Sequence, residues 1–257
     1  MDIPVLQQFT LTDRIALVTG ASTGLGRAMA VGLAEAGADV AVVARTEQRL
    51  EGVCESIEKL GQKALPIACD LAERGAADHI TSQVRDHFGQ LDILVNNAGL
   101  TRRNKAEDFT DEDWHQVFDV NLHAVFYLCR SAGRIMLDQG YGKIINIASI
   151  ISFSGGFTVQ SYAASKGGVA QLTKALCNEW AGKGINVNAI APGYFRTDLT
   201  ESLQKDPDRN PQIVARIPAG DWGLPDQLKG AVVFLASEAS SYVHGHILTA
   251  DGGFMAR

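Results

Sequence analysis

The chain has 257 residues, 46% of them hydrophobic and 20% charged, with a formal net charge of −6. That composition fits a globular chain with a sizeable core and excludes a disordered or collagen-like one. The acidic balance gives no electrostatic footprint for nucleic acid or for an anionic membrane.

The opening MDIPVLQQFTLTDR carries an early acid and no apolar block. No later stretch approaches the roughly 18 apolar residues of a spanning helix, so a cytoplasmic protein with no membrane contact is expected. The cysteines, Cys54, Cys69, Cys129 and Cys177, lack paired or metal-ligand spacing and are expected to be reduced thiols. His244 and His246 flank a glycine, the pattern of a surface turn, and no metal is expected.

In chain order, short apolar runs alternate with longer amphipathic segments. The runs at 14–19, 39–44, 64–69, 91–96, 143–148 and 185–190 are candidate buried strands. Segments such as 26–37 and 47–61 repeat apolar residues at three- and four-residue steps, as half-buried helices do. Longer helices are expected at about 111–137 and 160–182. The alternation predicts parallel strands joined by right-handed helical crossovers. The expected fold is therefore α/β, a single-domain Rossmann fold over residues 1–257. Its doubly wound parallel sheet of about seven strands carries helices on both faces. One polar stretch, 196–222, breaks the rhythm and is read either as a substrate lid at the sheet's carboxyl edge or as a solvated insertion.

The first strand runs into TGASTGLGRAMA, which places Gly20, Gly24 and Gly26 at a strand-to-helix turn. Glycine lets the backbone approach a pyrophosphate, and the helix N-terminus offers free N–H donors. A triplet alone also fits an ordinary tight turn; its place after the first strand favours a dinucleotide site. At the end of the second strand, where NAD-binding proteins usually carry an acid, stands Ala44 followed by Arg45. Arg45 is either an exposed loop arginine or a partner for a 2′-phosphate. NADP(H) is the expected cofactor, with NAD(H) the alternative.

Further along, SYAASKGGVAQLTKAL sets Lys166 four residues after Tyr162, on one helix face, and Ser149 ends the strand KIINIAS. Reducing a ketone with a hydride requires a proton donor and hydrogen bonds to the carbonyl oxygen. Tyr162 can give the proton, Lys166 can favour its phenolate, and Ser149 can hold the oxygen. Each alone also reads as a helix-face residue, a solvated charge or a cap.

Together with TGASTGLG at 19–26, Asp70, NNAG at 96–99, Asn121, YAASK at 162–166 and PG at 192–193, these residues resemble the short-chain dehydrogenase/reductase family over nearly the whole chain. The resemblance implies catalysis by Ser149, Tyr162, Lys166 and Asn121, the last positioning a water behind the lysine. For the cofactor it implies contacts from Gly20, Ser22, Thr23, Gly24, Leu25 and Gly26, from Asp70 and Leu71, and from Asn97, Ala98 and Gly99. Tyr162, Lys166, Pro192, Gly193 and Thr197 complete that set. Asp70 also suits a helix cap, and Asn97 a tie between strands.

AGLTRR, SFSGGFTVQSYAASK, NEWAGKGINVNAIAPGY, IPAGDWGLP and DGGFMAR are similar to the branch acting on sugar acids, the 2-deoxy-D-gluconate 3-dehydrogenases and 2-keto-3-deoxygluconate oxidoreductases, with gluconate 5-dehydrogenases as neighbours. That branch is associated with NAD, from which Ala44–Arg45 departs. A sugar-acid substrate implies Ser149 and Tyr162 at the reacting oxygen, Arg102 or Arg103 at its carboxylate, and Gln160 and Tyr194 at its hydroxyls. A 3-oxoacyl carrier-protein reductase and a non-catalytic nucleotide-sensing protein are the alternatives. The family resemblance also implies a homotetramer.

Overall fold

The six apolar runs all form strands in the structure, a computed structural model that describes residues 4–257, so the first three residues of the opening segment lie outside it. They are β1 (Ile15–Thr19), β2 (Asp39–Ala44), β3 (Ala64–Ala68), β4 (Ile93–Asn96), β5 (Gly142–Ile147) and β6 (Ile185–Pro192). A seventh, β7 (Ile247–Ala250), escapes the hydrophobic reading because it is four residues long and only half-buried at the sheet edge. All pairings are parallel, in the order β3-β2-β1-β4-β5-β6-β7. This is the expected seven-stranded Rossmann sheet.

Side chains alternate across the sheet, so each strand feeds two cores. Leu17, Ala41, Leu94 and Ile144 pack beneath α3 (Ala76–Phe88), α5 (Ala124–Gln139) and α6 (Gln160–Trp180). Val18, Val42, Val95 and Ile145 pack beneath α1 (Gly24–Glu35), α2 (Glu51–Glu58) and α9 (Lys229–Ala236). Burial on both faces explains why these strands read as unbroken apolar runs.

The chain leaves β1 for β2 and β3 on one side and returns to β4 on the other. The crevice at this reversal lies beyond the carboxyl ends of β1 and β4, where ligands of open α/β sheets bind.

The single helix expected over 111–137 is interrupted. α4 (Asp111–Phe118) passes through a π-helical turn, Asp119–His123, before α5 begins. An inserted π turn leaves no mark in a three- and four-residue apolar repeat, and such turns often sit at functional sites. The polar stretch 196–222 contains two short helices, α7 (Glu201–Lys205) and α8 (Arg209–Val214). Its base is pinned by a bridge between Phe195 and Gly223 and by two 2.8 Å hydrogen bonds from Arg196 to Asp221.

Candidate active site

A cleft of about 660 Å³ runs along the carboxyl edge of the sheet. At one end, the turn after β1 places Gly20 and Gly24 at φ +63° and +55°, a left-handed backbone that favours glycine. Gly26 is required for another reason: a Cβ there would overlap the Gly20 carbonyl and the Asn97 amide. Thr23 begins α1 without capping it through its side chain, and the first turn contains no acid. The helix N-terminus thus presents free N–H groups and a partial positive charge to the cleft, a donor set that fits a pyrophosphate.

Every residue expected at the cofactor lines this cleft, from Gly20, Ser22, Thr23, Gly24, Leu25 and Gly26 to Pro192, Gly193 and Thr197. Some also carry the plainer structural duty. Asn97 Nδ2 donates to the carbonyls of Thr19 (2.9 Å) and Gly20 (3.1 Å), tying the end of β4 to the turn. Asp70 accepts the N–H of Ala72 at 3.0 Å and so shapes its own loop. Beside Ala44, two exposed arginines line the cleft, Arg45 and Arg49. Arg49 was missed from the sequence because it sits in a polar 3₁₀ turn (Glu47–Leu50) with no motif of its own.

At the other end, β5 delivers Ser149 and α6 delivers Tyr162 and Lys166, all lining the cleft. Lys166 is only 3% exposed and donates from Nζ to the Ile147 carbonyl at 2.5 Å. Burial pushes its pKa down to about 8. Its Nζ is 5.8 Å from the Tyr162 ring centroid. Burial pushes the Tyr162 hydroxyl up, while its hydrogen bond with Ser149 and the charge of Arg103 pull it back down. Ser149 Oγ also accepts the Ile151 N–H at 3.2 Å, so the serine is both a cap and a neighbour of the tyrosine.

Asn121 is completely buried in the π turn. Its amide accepts the Leu100 N–H and donates to the Leu100 carbonyl, both at 2.9 Å, and donates to Ser165 Oγ at 3.3 Å. It converges with the lysine, for a Cβ on Gly99 would stand 3.3 Å from Asn121 Oδ1 and 3.7 Å from Lys166 Nζ.

The residues expected at the substrate are more dispersed. Arg102 lines the cleft but is held by Gln116 at 2.8 Å and Asp113 at 3.2 Å. Arg103 is exposed and acts electrostatically on Tyr162. Gln160 faces a separate small cavity beside Trp114 and donates to the Asn104 carbonyl at 3.2 Å. The Tyr194 ring packs against Trp222 and Phe254.

Among the described residues, no group of three His, Cys, Asp or Glu side chains is arranged to hold a metal ion, and no helix is long and apolar enough to cross a membrane.

Residues 14–208 match the short chain dehydrogenase family, to which this chain belongs. It is a nicotinamide-dependent oxidoreductase of CH–OH groups. It is similar to the 2-dehydro-3-deoxy-D-gluconate 5-dehydrogenase of Pseudoalteromonas atlantica, at 49% identity over 98% of this chain and 100% of that one. A solved Agrobacterium tumefaciens protein with bound NADP, provisionally described as a 2-deoxy-D-gluconate 3-dehydrogenase, is 49% identical with a TM-score of 0.90, covering 97% of this chain and 99% of that chain. A gluconate 5-dehydrogenase of Burkholderia cenocepacia, solved with NADP and tartrate, is 40% identical with a TM-score of 0.95, covering 99% and 100%.

Proposed function

We propose that the protein interconverts a secondary alcohol and a ketone on a sugar acid of the 3-deoxygluconate type, using NADP(H). One observation carries the proposal: a buried Lys166 sits beside Tyr162 and Ser149 in the same cleft as the uncapped N-terminus of α1.

When bound, the nicotinamide supplies or accepts the hydride at the substrate carbon. Tyr162 Oη gives the proton to the carbonyl oxygen in reduction and takes it from the alcohol in oxidation, while Ser149 Oγ holds that oxygen. Lys166 lends the positive charge that eases the tyrosine's ionisation, against the burial that opposes it. Asn121 fixes the Leu100 backbone and stands next to the lysine. The turn from Gly20 to Gly26 would cradle the pyrophosphate, with Arg45 and Arg49 as cations for a 2′-phosphate and no acid at Ala44 to favour a free ribose hydroxyl. Arg103 is the better candidate for the substrate carboxylate, since Arg102 is already paired with Asp113 and Gln116.

The sugar-acid reading draws on the names of the three relatives above. Those relatives differ over carbon 3 and carbon 5, so the decisive experiment is a panel of sugar acids and their keto forms at each position, run with both nicotinamides. Tyr162→Phe is expected to reduce kcat by about 10²–10⁴-fold while leaving cofactor affinity nearly unchanged. Wild-type turnover in that variant removes the tyrosine from its role. We further propose that the enzyme works in the cytoplasm as a homotetramer; the exposed Phe126 and Tyr127 on α5 support association between copies of the chain.

A further inference from the structure

α8 covers the catalytic loop. Its Ile213 is buried in a cluster with Ile150, the residue after Ser149. Arg209 lies four residues before Ile213, on the same helix face. Its guanidinium carbon is 5.7 Å from the centroid of Phe157, an aromatic side chain 79% exposed and three residues ahead of α6. The loop holding Phe157 is fixed in place: Thr158 has φ +59°, and its carbonyl accepts the N–H of Asn104, the residue after Arg103, at 3.2 Å. Arg103, Phe157 and Arg209 therefore come from three segments that meet near Ser149 and Tyr162.

Arg209 differs from the other arginines of this region. Arg196 is paired with Asp221, and Arg216 lies 4.1 Å over the Phe254 ring. Arg209 Nε is buried without a hydrogen-bond partner, and among the described residues none forms an ion pair with its guanidinium. The nearby Asp206 carboxylate accepts the backbone N–H groups of Asp208 and Arg209, both at 2.9 Å, and feels the Arg209 charge without a side-chain hydrogen bond to it. A buried N–H donor without an acceptor is costly, and a guanidinium fork matches a carboxylate in shape and charge.

We infer that Arg209 is a second anchor for the substrate carboxylate, carried by α8 and opposed to Arg103, so that the covering segment closes in response to an anionic substrate. The inference rests on the sugar-acid reading above. Arg209 stands outside the lining of the main cleft, and its stack on Phe157 is the waiting position from which it turns inward.

The test compares kcat/KM for a sugar acid that the wild type turns over with that for the neutral amide of the same acid, at saturating NADP(H). Arg209→Met is expected to lower the acid-to-amide ratio at least about tenfold, chiefly through KM for the acid. Arg209→Lys keeps the charge without the fork, so it restores part of the ratio and provides the readout if the methionine variant melts early. Phe157→Ala is expected to alter the ratio far less. An unchanged ratio in both Arg209 variants, or an equal loss for acid and amide, overturns the inference and leaves Arg209 as a clasp on Phe157. Failure of the wild type to turn over any sugar acid overturns the underlying substrate reading, and this inference with it.

Discussion

Lys166 holds a charge where the fold disfavours one. Its pKa falls from 10.5 to about 8 through burial. Between those values the unfolded chain binds a proton that the folded chain has released, so stability rises with pH across that window. Below it, the charged lysine costs about 3 kcal/mol relative to an exposed one. Lys166→Met is therefore expected to melt above the wild type at pH 7, with the gap narrowing toward pH 10, and to be inactive. A gap independent of pH would refute the assignment. The spacing of Tyr162 and Lys166 is legible in the sequence because four residues along a helix is a local relation. The burial that sets the lysine's pKa is not, since it depends on strands and helices distant in the chain.

Two elements place the ligand groups, and each fails in its own way. The turn into α1 tolerates no side chain at position 26, so Gly26→Ala must open the turn against Asn97. Its NADP(H) affinity is expected to fall at least about tenfold by titration, since the N–H groups aimed at the pyrophosphate are displaced. Affinity equal to wild type would show that the turn does not hold the phosphate. The π turn at Asp119–His123 supplies Asn121, whose motif neighbours are readable but whose bonds to Leu100 span 21 residues. Asn121→Leu leaves a backbone N–H and a carbonyl of Leu100 without partners, at about 1–3 kcal/mol per group. The expected result is a lower urea midpoint together with reduced kcat; an unchanged midpoint contradicts the tether.

For the molecule as a whole, the parallel sheet and its two cores account for a self-sufficient fold, yet α5 exposes Phe126 and Tyr127 side by side. Arg130 lies 5.5 Å and 5.2 Å from those two rings. Exposed aromatics rimmed by charge mark an association face. If this face joins copies of the chain in the proposed tetramer, Tyr127→Asp is expected to lower the mass measured by light scattering below that of the wild type; equal masses would exclude this face.

The strands, the glycine turn and the Ser149, Tyr162 and Lys166 set were written locally, because apolar runs, glycine placement and helical spacing are short-range properties of a chain. The state of those groups was decided only by folding. Which of Arg102 and Arg103 stays free depends on α4, where Asp113 and Gln116 capture Arg102. The depressed pKa of Lys166, the π turn around Asn121 and the unsatisfied Arg209 likewise arise from contacts between segments far apart in the chain. Burial and partnership depend on those contacts, which no local pattern encodes.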